Sequence, residues 1–109
     1  MQMMSKALPF LVLFLSAVLE VGGDALMRRG IRGGGWVFIV VGGLVLAGYG
    51  MLVNRVPWDF GRMLGAYVAF FAVVSVVFGR FAFGDRTAAT TWIGLLVIAL
   101  GAGLLQLGR

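Results

Sequence analysis

Residues 16–30, SAVLEVGGDALMRRG, close an apolar run with two acids and two arginines. How this stretch is read decides the fold. As a helix it carries Glu20 and Asp24 one turn apart, about 40° from each other on one face. Together with the apolar residues before it, it is long enough to cross a bilayer. The question is then why a hydrophobic span holds two carboxyl groups.

Composition settles the environment. Of 109 residues, 61% are apolar and 12% charged, and the mean hydropathy is +1.06. Soluble domains run at about 45–50% apolar and about 25% charged. The chain reads as an integral membrane protein, and no shift in composition divides it, so residues 1–109 read as one domain. It has no cysteine and no histidine. Disulfides and thiol chemistry are excluded, and so are the usual neutral-pH proton shuttle and the commonest metal ligand. Proton chemistry falls to Glu20, Asp24, Asp59 and Asp85, or to Tyr49 and Tyr67. The net charge of +5 does not point to nucleic acid, because the basic residues sit at the ends of apolar runs, without interleaved aromatics.

A spanning helix needs about 20 mostly apolar residues. Four segments qualify, at 7–27, 36–53, 63–83 and 91–107. The links RRGIRGGG, NRVPWDFGR and GDRTAAT are short and rich in glycine, proline or charge, as turns are. Short links make neighbouring helices antiparallel. The expected fold is an all-α membrane protein, an up-down bundle of four transmembrane helices. The first segment lacks a clear A-x-A site and reads as a mature helix, not a cleaved signal. Trp36, Trp58 and Trp92 fall near helix ends, where interfacial aromatics belong. Lys6, Arg55, Arg62 and Arg109 lie on one side, and Arg28, Arg29, Arg32, Arg80 and Arg86 on the other. So even a distribution gives weak topological orders. Either the chain inserts both ways up, or one decisive charge fixes it.

The 18 glycines matter because small residues let helices in lipid approach closely. Gly94 and Gly101, seven apart in GLLVIALGAGLLQLG, share a stripe of the fourth helix. That spacing suits a helix crossing a copy of itself, and equally suits packing inside one bundle.

Glu20 lies roughly 20 Å from one end of its helix and 10 Å from the other. An ionisable group at such depth costs several kcal/mol unless it faces water or a partner. Burial favours the neutral form of a carboxyl group, and a carboxyl that titrates near working pH can exchange a proton for a cation. The plainer reading is a structural acid paired with Arg28 or Arg62. Asp24 is either a second cation or proton station or, as favoured here, a partner of Arg28 or Arg29. Ser16, one turn before Glu20, is placed to hydrogen-bond substrate or water. Tyr67, in GAYVAFFAVV, carries a hydroxyl that can shape a cation site. Arg62, Arg80 and Asp59 read as interfacial, either snorkelling or, for the arginines, recognising an anionic headgroup. No nucleophile constellation, metal cluster or phosphate-cradling loop is present, and RGGGW lacks the strand–turn–helix context. The chain does not read as an enzyme.

These residues resemble the small multidrug resistance family of the drug/metabolite transporter superfamily over nearly the whole length. LEVGGDALMR looks like that family's A-E-V-x-G-x-x-L-M-K pattern, and Glu20 falls on its essential glutamate. AYVAF resembles A-Y-A-x-W, with Tyr67 on the functional tyrosine and Phe70 in place of the usual tryptophan. FGDR and IGLLVIALGAGLL resemble the family's last loop and helix, with Gly94 and Gly101 on its dimer motif. A narrower resemblance, carried by Gly61, Arg62, Tyr67 and Arg80, is to the YnfA-type branch. Asp24, Phe70 and the stretched spacing between Pro57 and Tyr67 depart from the drug-exporter pattern.

The resemblance implies an antiparallel homodimer in a bacterial inner membrane, with two Glu20 carboxyls sharing one site. It implies proton-coupled export of small hydrophobic or guanidinium-like cations. The proton gradient would serve in place of a cofactor, and Ser16, Asp24, Tyr67 and Phe70 would line the site. Two other readings stand beside it. One is a flippase-type subunit for lipid-linked or anionic lipids, with Arg62 and Arg80 on a phosphate. The other is a non-transporting partner in a heterodimer.

Overall fold

The computed structural model describes residues 2–107, with side chains from Lys6 onward; Arg109 lies outside them. Four helices make up the fold: α1 (Gln2–Arg29), α2 (Trp36–Val53), α3 (Phe60–Ala82) and α4 (Ala89–Leu107). There is no strand among the described residues. Each helix is long and apolar enough to cross a membrane. α2 has the bounds expected from sequence. The others are offset. α1 starts before residue 7 and runs through Arg29, α3 spans Phe60–Ala82 where 63–83 was expected, and α4 starts at Ala89. The reason is physical. Hydropathy marks the stretch that needs lipid, whereas main-chain hydrogen bonding continues into the polar flanks. Arg28 and Arg29 also suit the negative end of the α1 dipole.

The chain forms two compact units, Met1–Pro57 and Trp58–Arg109. The first is the α1–α2 hairpin. Of the expected link RRGIRGGG, the two arginines belong to α1, and the chain turns over Gly30–Gly34. A bond of 3.3 Å from the Gly35 N–H to the Gly30 carbonyl closes this wide turn. Gly33 at φ +114° and Gly35 at φ +103° take backbone conformations that a side chain would strain. Beyond the turn the two helices touch backbone to backbone. A Cβ on Gly42 would lie 2.9 Å from the Gly23 carbonyl oxygen and 3.0 Å from the Met27 nitrogen. A Cβ on Gly23 would lie 2.8 Å from Leu46 Cγ. Only glycine permits this approach. Leu13, Ser16, Ala17 and Val21 are buried along one stripe of α1.

The second unit is the α3–α4 hairpin. The Met63 N–H to Asp59 carbonyl bond, 2.8 Å, opens α3. At its other end the Phe83 and Asp85 N–H groups return to the Gly79 carbonyl at 3.2 and 2.9 Å. Leu105 of α4 lies against Gly65 of α3, and the hairpin is tied again where Arg62 meets Gln106. α3 buries Met63, Ala66, Tyr67 and Gly79. No residue of α4 is buried among those described.

Large apolar side chains stand outward on every helix, as Trp36 (74% exposed), Phe81 (82%) and Leu107 (81%) illustrate. Soluble monomers rarely expose contiguous apolar patches beyond a few hundred Å². On four spanning helices this surface is the lipid-facing one. The protein is a multi-pass membrane protein.

Candidate functional site

The site is built from α1 outward. Along its axis Lys6 and Arg28 are about 33 Å apart, close to the ~30 Å of a hydrocarbon core. Glu20 lies ~21 Å past Lys6 and ~12 Å before Arg28, off-centre and well inside. It is half-buried and shares its face with Ser16, one turn earlier, which is fully buried. The Ser16 hydroxyl donates to the Val12 carbonyl at 2.7 Å. Its proton is therefore committed to its own helix, and its oxygen can only accept from a ligand, from water or from a protonated neighbour.

Asp24 does not extend this arrangement. It is exposed, and among the described residues it pairs with neither Arg28 nor Arg29. The expected ion pair gives way because Arg29 turns to α2, its guanidinium carbon 4.8 Å from the centre of the Phe38 ring. A cation over an aromatic face is a stable alternative to an exposed carboxylate.

In the second unit Tyr67 is buried, 4% exposed, and its ring is tilted against Phe71 at 6.1 Å. Phe70 is half-buried one turn along the same helix. α3 thus carries an aromatic cluster around the expected tyrosine. On α4, Gly94 and Gly101 face open space, with no atom within 4 Å of where a Cβ would stand. Within the α3–α4 hairpin these two glycines are left open.

The arginines separate. Arg62 is in the first turn of α3 and Arg80 in the last, about 27 Å apart along one helix. Within one chain a single headgroup cannot touch both. Arg80 is exposed. Arg62 is half-buried and held on two sides. Its Nε donates to Gln106 Oε1 at 3.0 Å, and Gln106 Nε2 donates back to the Arg62 carbonyl at 3.4 Å. Its guanidinium carbon lies 4.8 Å from the centre of the Trp58 ring. Reading the sequence missed Gln106. The available signal was an amide alone in the apolar last turn of α4, which a short α3–α4 link brings back to the start of α3.

Comparison with known proteins gives a consistent result. The family model described as "Uncharacterised BCR, YnfA/UPF0060 family" matches residues 5–108. A UPF0060 membrane protein of Rhodococcus erythropolis is 32% identical over 108 residues, covering 97% of this chain and all of the relative. One from Mycolicibacterium gilvum is 37% identical over 98 residues, covering 88% of this chain and 91% of the relative. One from Streptomyces coelicolor is 34% identical over 94 residues, covering 84% of each. No solved structure matches. Of the two resemblances drawn from sequence, the narrower one is thereby shown, and the drug-exporter family proper is not. This chain belongs to the YnfA/UPF0060 family of membrane proteins.

Proposed function

We propose that this protein is a proton-coupled exporter of small hydrophobic or guanidinium-like cations, working as a homodimer in a bacterial inner membrane. One observation carries the reading. Glu20 is a carboxyl group well inside a membrane span, half-buried on the same face as a fully buried serine hydroxyl. An intramembrane acid is costly to keep unless it is used.

The chemistry follows from that placement. As a carboxylate, Glu20 attracts a cation; as a carboxylic acid, it does not. Proton and cargo therefore compete for one group, and a proton gradient drives the exchange. Ser16, able only to accept, takes a hydrogen bond from the protonated acid or from a guanidinium N–H. Tyr67 and Phe70 offer the aromatic faces on which a hydrophobic cation is stabilised. Asp24, exposed toward the end of α1, serves as an outer acid on the cation's route. The open glycines Gly94 and Gly101 supply the α4 face on which a second copy packs.

The test is flux of a guanidinium-type cation in proteoliposomes under an imposed pH gradient, with Glu20→Gln beside the native protein. Gradient-driven flux is expected to fall to background in the variant. Equal flux in both would overturn the mechanism.

A further inference from the structure

We propose that Trp58, Arg62 and Gln106 form an oxyanion site at the membrane interface that takes a phosphate group. This site does not depend on the transport reading.

The argument begins with the charge of Arg62. The side chain is half-buried, yet its neighbours are neutral: an amide oxygen on Nε and an aromatic ring over the guanidinium carbon. Asp59, one turn back and exposed, does not pair with it among the described residues. A cation withdrawn from water without an opposing charge is expensive.

Geometry says how the charge is offered. A guanidinium has five N–H donors in a planar fork. Gln106 occupies the one on Nε, and the four on the terminal nitrogens have no partner among the described residues. Gln106 is itself fixed by its bond back to the Arg62 carbonyl. The fork is thus oriented before a ligand arrives, which lowers the ordering cost of binding. Two parallel N–H donors fit phosphate oxygens. The third residue of α3 and the second-last of α4 put the site at a helix end, level with headgroups. There the phosphate is that of an anionic lipid or a soluble phosphate group, and the two share this chemistry.

A plain helix-to-helix staple would use the same contacts, and Gln106→Glu separates the two ideas. A glutamate keeps the bond to Nε and supplies the missing negative charge, while giving up the longer bond to the Arg62 carbonyl. A staple keeps its Nε bond under that change; an oxyanion site has its charge neutralised by it. The experiment is native mass spectrometry of the full chain in detergent, with phosphatidylglycerol or phosphatidylcholine added. The native protein is expected to prefer phosphatidylglycerol by about tenfold, ~1.4 kcal/mol. Gln106→Glu should lose that preference while the chain stays folded, as helix content reads. Arg62→Gln should lose it as well, and Arg80→Gln should keep it. Displacement of the lipid by inorganic phosphate identifies a soluble ligand; resistance to displacement identifies the headgroup. Full phosphatidylglycerol preference in Gln106→Glu, or equal loss in Arg80→Gln, would overturn the site.

Discussion

The two hairpins solve the same problem by different means. In α1–α2, contact is made by what is missing: the absent side chains of Gly23 and Gly42 let main chain meet main chain. In α3–α4, contact is made by what reaches across: Leu105 onto Gly65, and Arg62 to Gln106. The first kind of contact is rigid, because a backbone cannot step aside. The second is adjustable, because side chains have other rotamers. The intramembrane acid is carried by the rigid hairpin and the open glycine face by the adjustable one.

That contrast can be broken first at Gly42. Gly42→Leu drives a side chain into the Gly23 carbonyl and the Met27 nitrogen. The cost is expected to exceed the about 1–3 kcal/mol of an ordinary overpacked core. Helix content followed through a denaturant titration should show the α1–α2 hairpin lost, and a native-like curve would show that the backbone contact is dispensable.

An intermediate effect is expected on α4. If the proposed homodimer packs through α4, leucine at Gly101, where no atom lies near its Cβ position, should leave the monomer folded and weaken self-association about tenfold. Cross-linking in membranes and mass measurement in mild detergent both read this. Unchanged dimer would move the interface off α4.

The smallest effect belongs to Gly65. Alanine there meets only the end of the Leu105 side chain, which can rotate away. A stability change under about 1 kcal/mol is expected. A loss as large as that of Gly42→Leu would erase the distinction between the hairpins.

Much of the fold was legible in the sequence because hydrocarbon imposes a length. Four apolar runs mean four spans, and α2, apolar from Trp36 to Val53, was readable to the residue. The polar flanks were not readable, since Arg28, Arg29, Gly61 and Arg62 carry no apolar signal yet stay helical. Glycine was the least legible residue. Gly42 and Gly101 look alike in a sequence, but one lies against a backbone and the other faces open space. Within the candidate site, Glu20 announced itself by chemistry alone. The tie between Arg62 and Gln106 did not, because it joins positions 44 residues apart. The supposed pairing of Asp24 failed for a related reason: helical spacing offered Arg28, but it could not reveal Phe38 as a competing partner for Arg29.

The glycine turn between the first two helices bears on how the protein is made. A link of six residues, Gly30 to Gly35, leaves little chain entropy to lose when its ends come together. So short a link favours pairing of α2 with α1 as soon as α2 forms, and paired insertion of the two spans is the route expected from it. The acid-bearing helix then does not have to cross the membrane as a solitary segment. A longer, looser link at this position would separate the two steps and leave Glu20 to bear the desolvation cost of the first one alone.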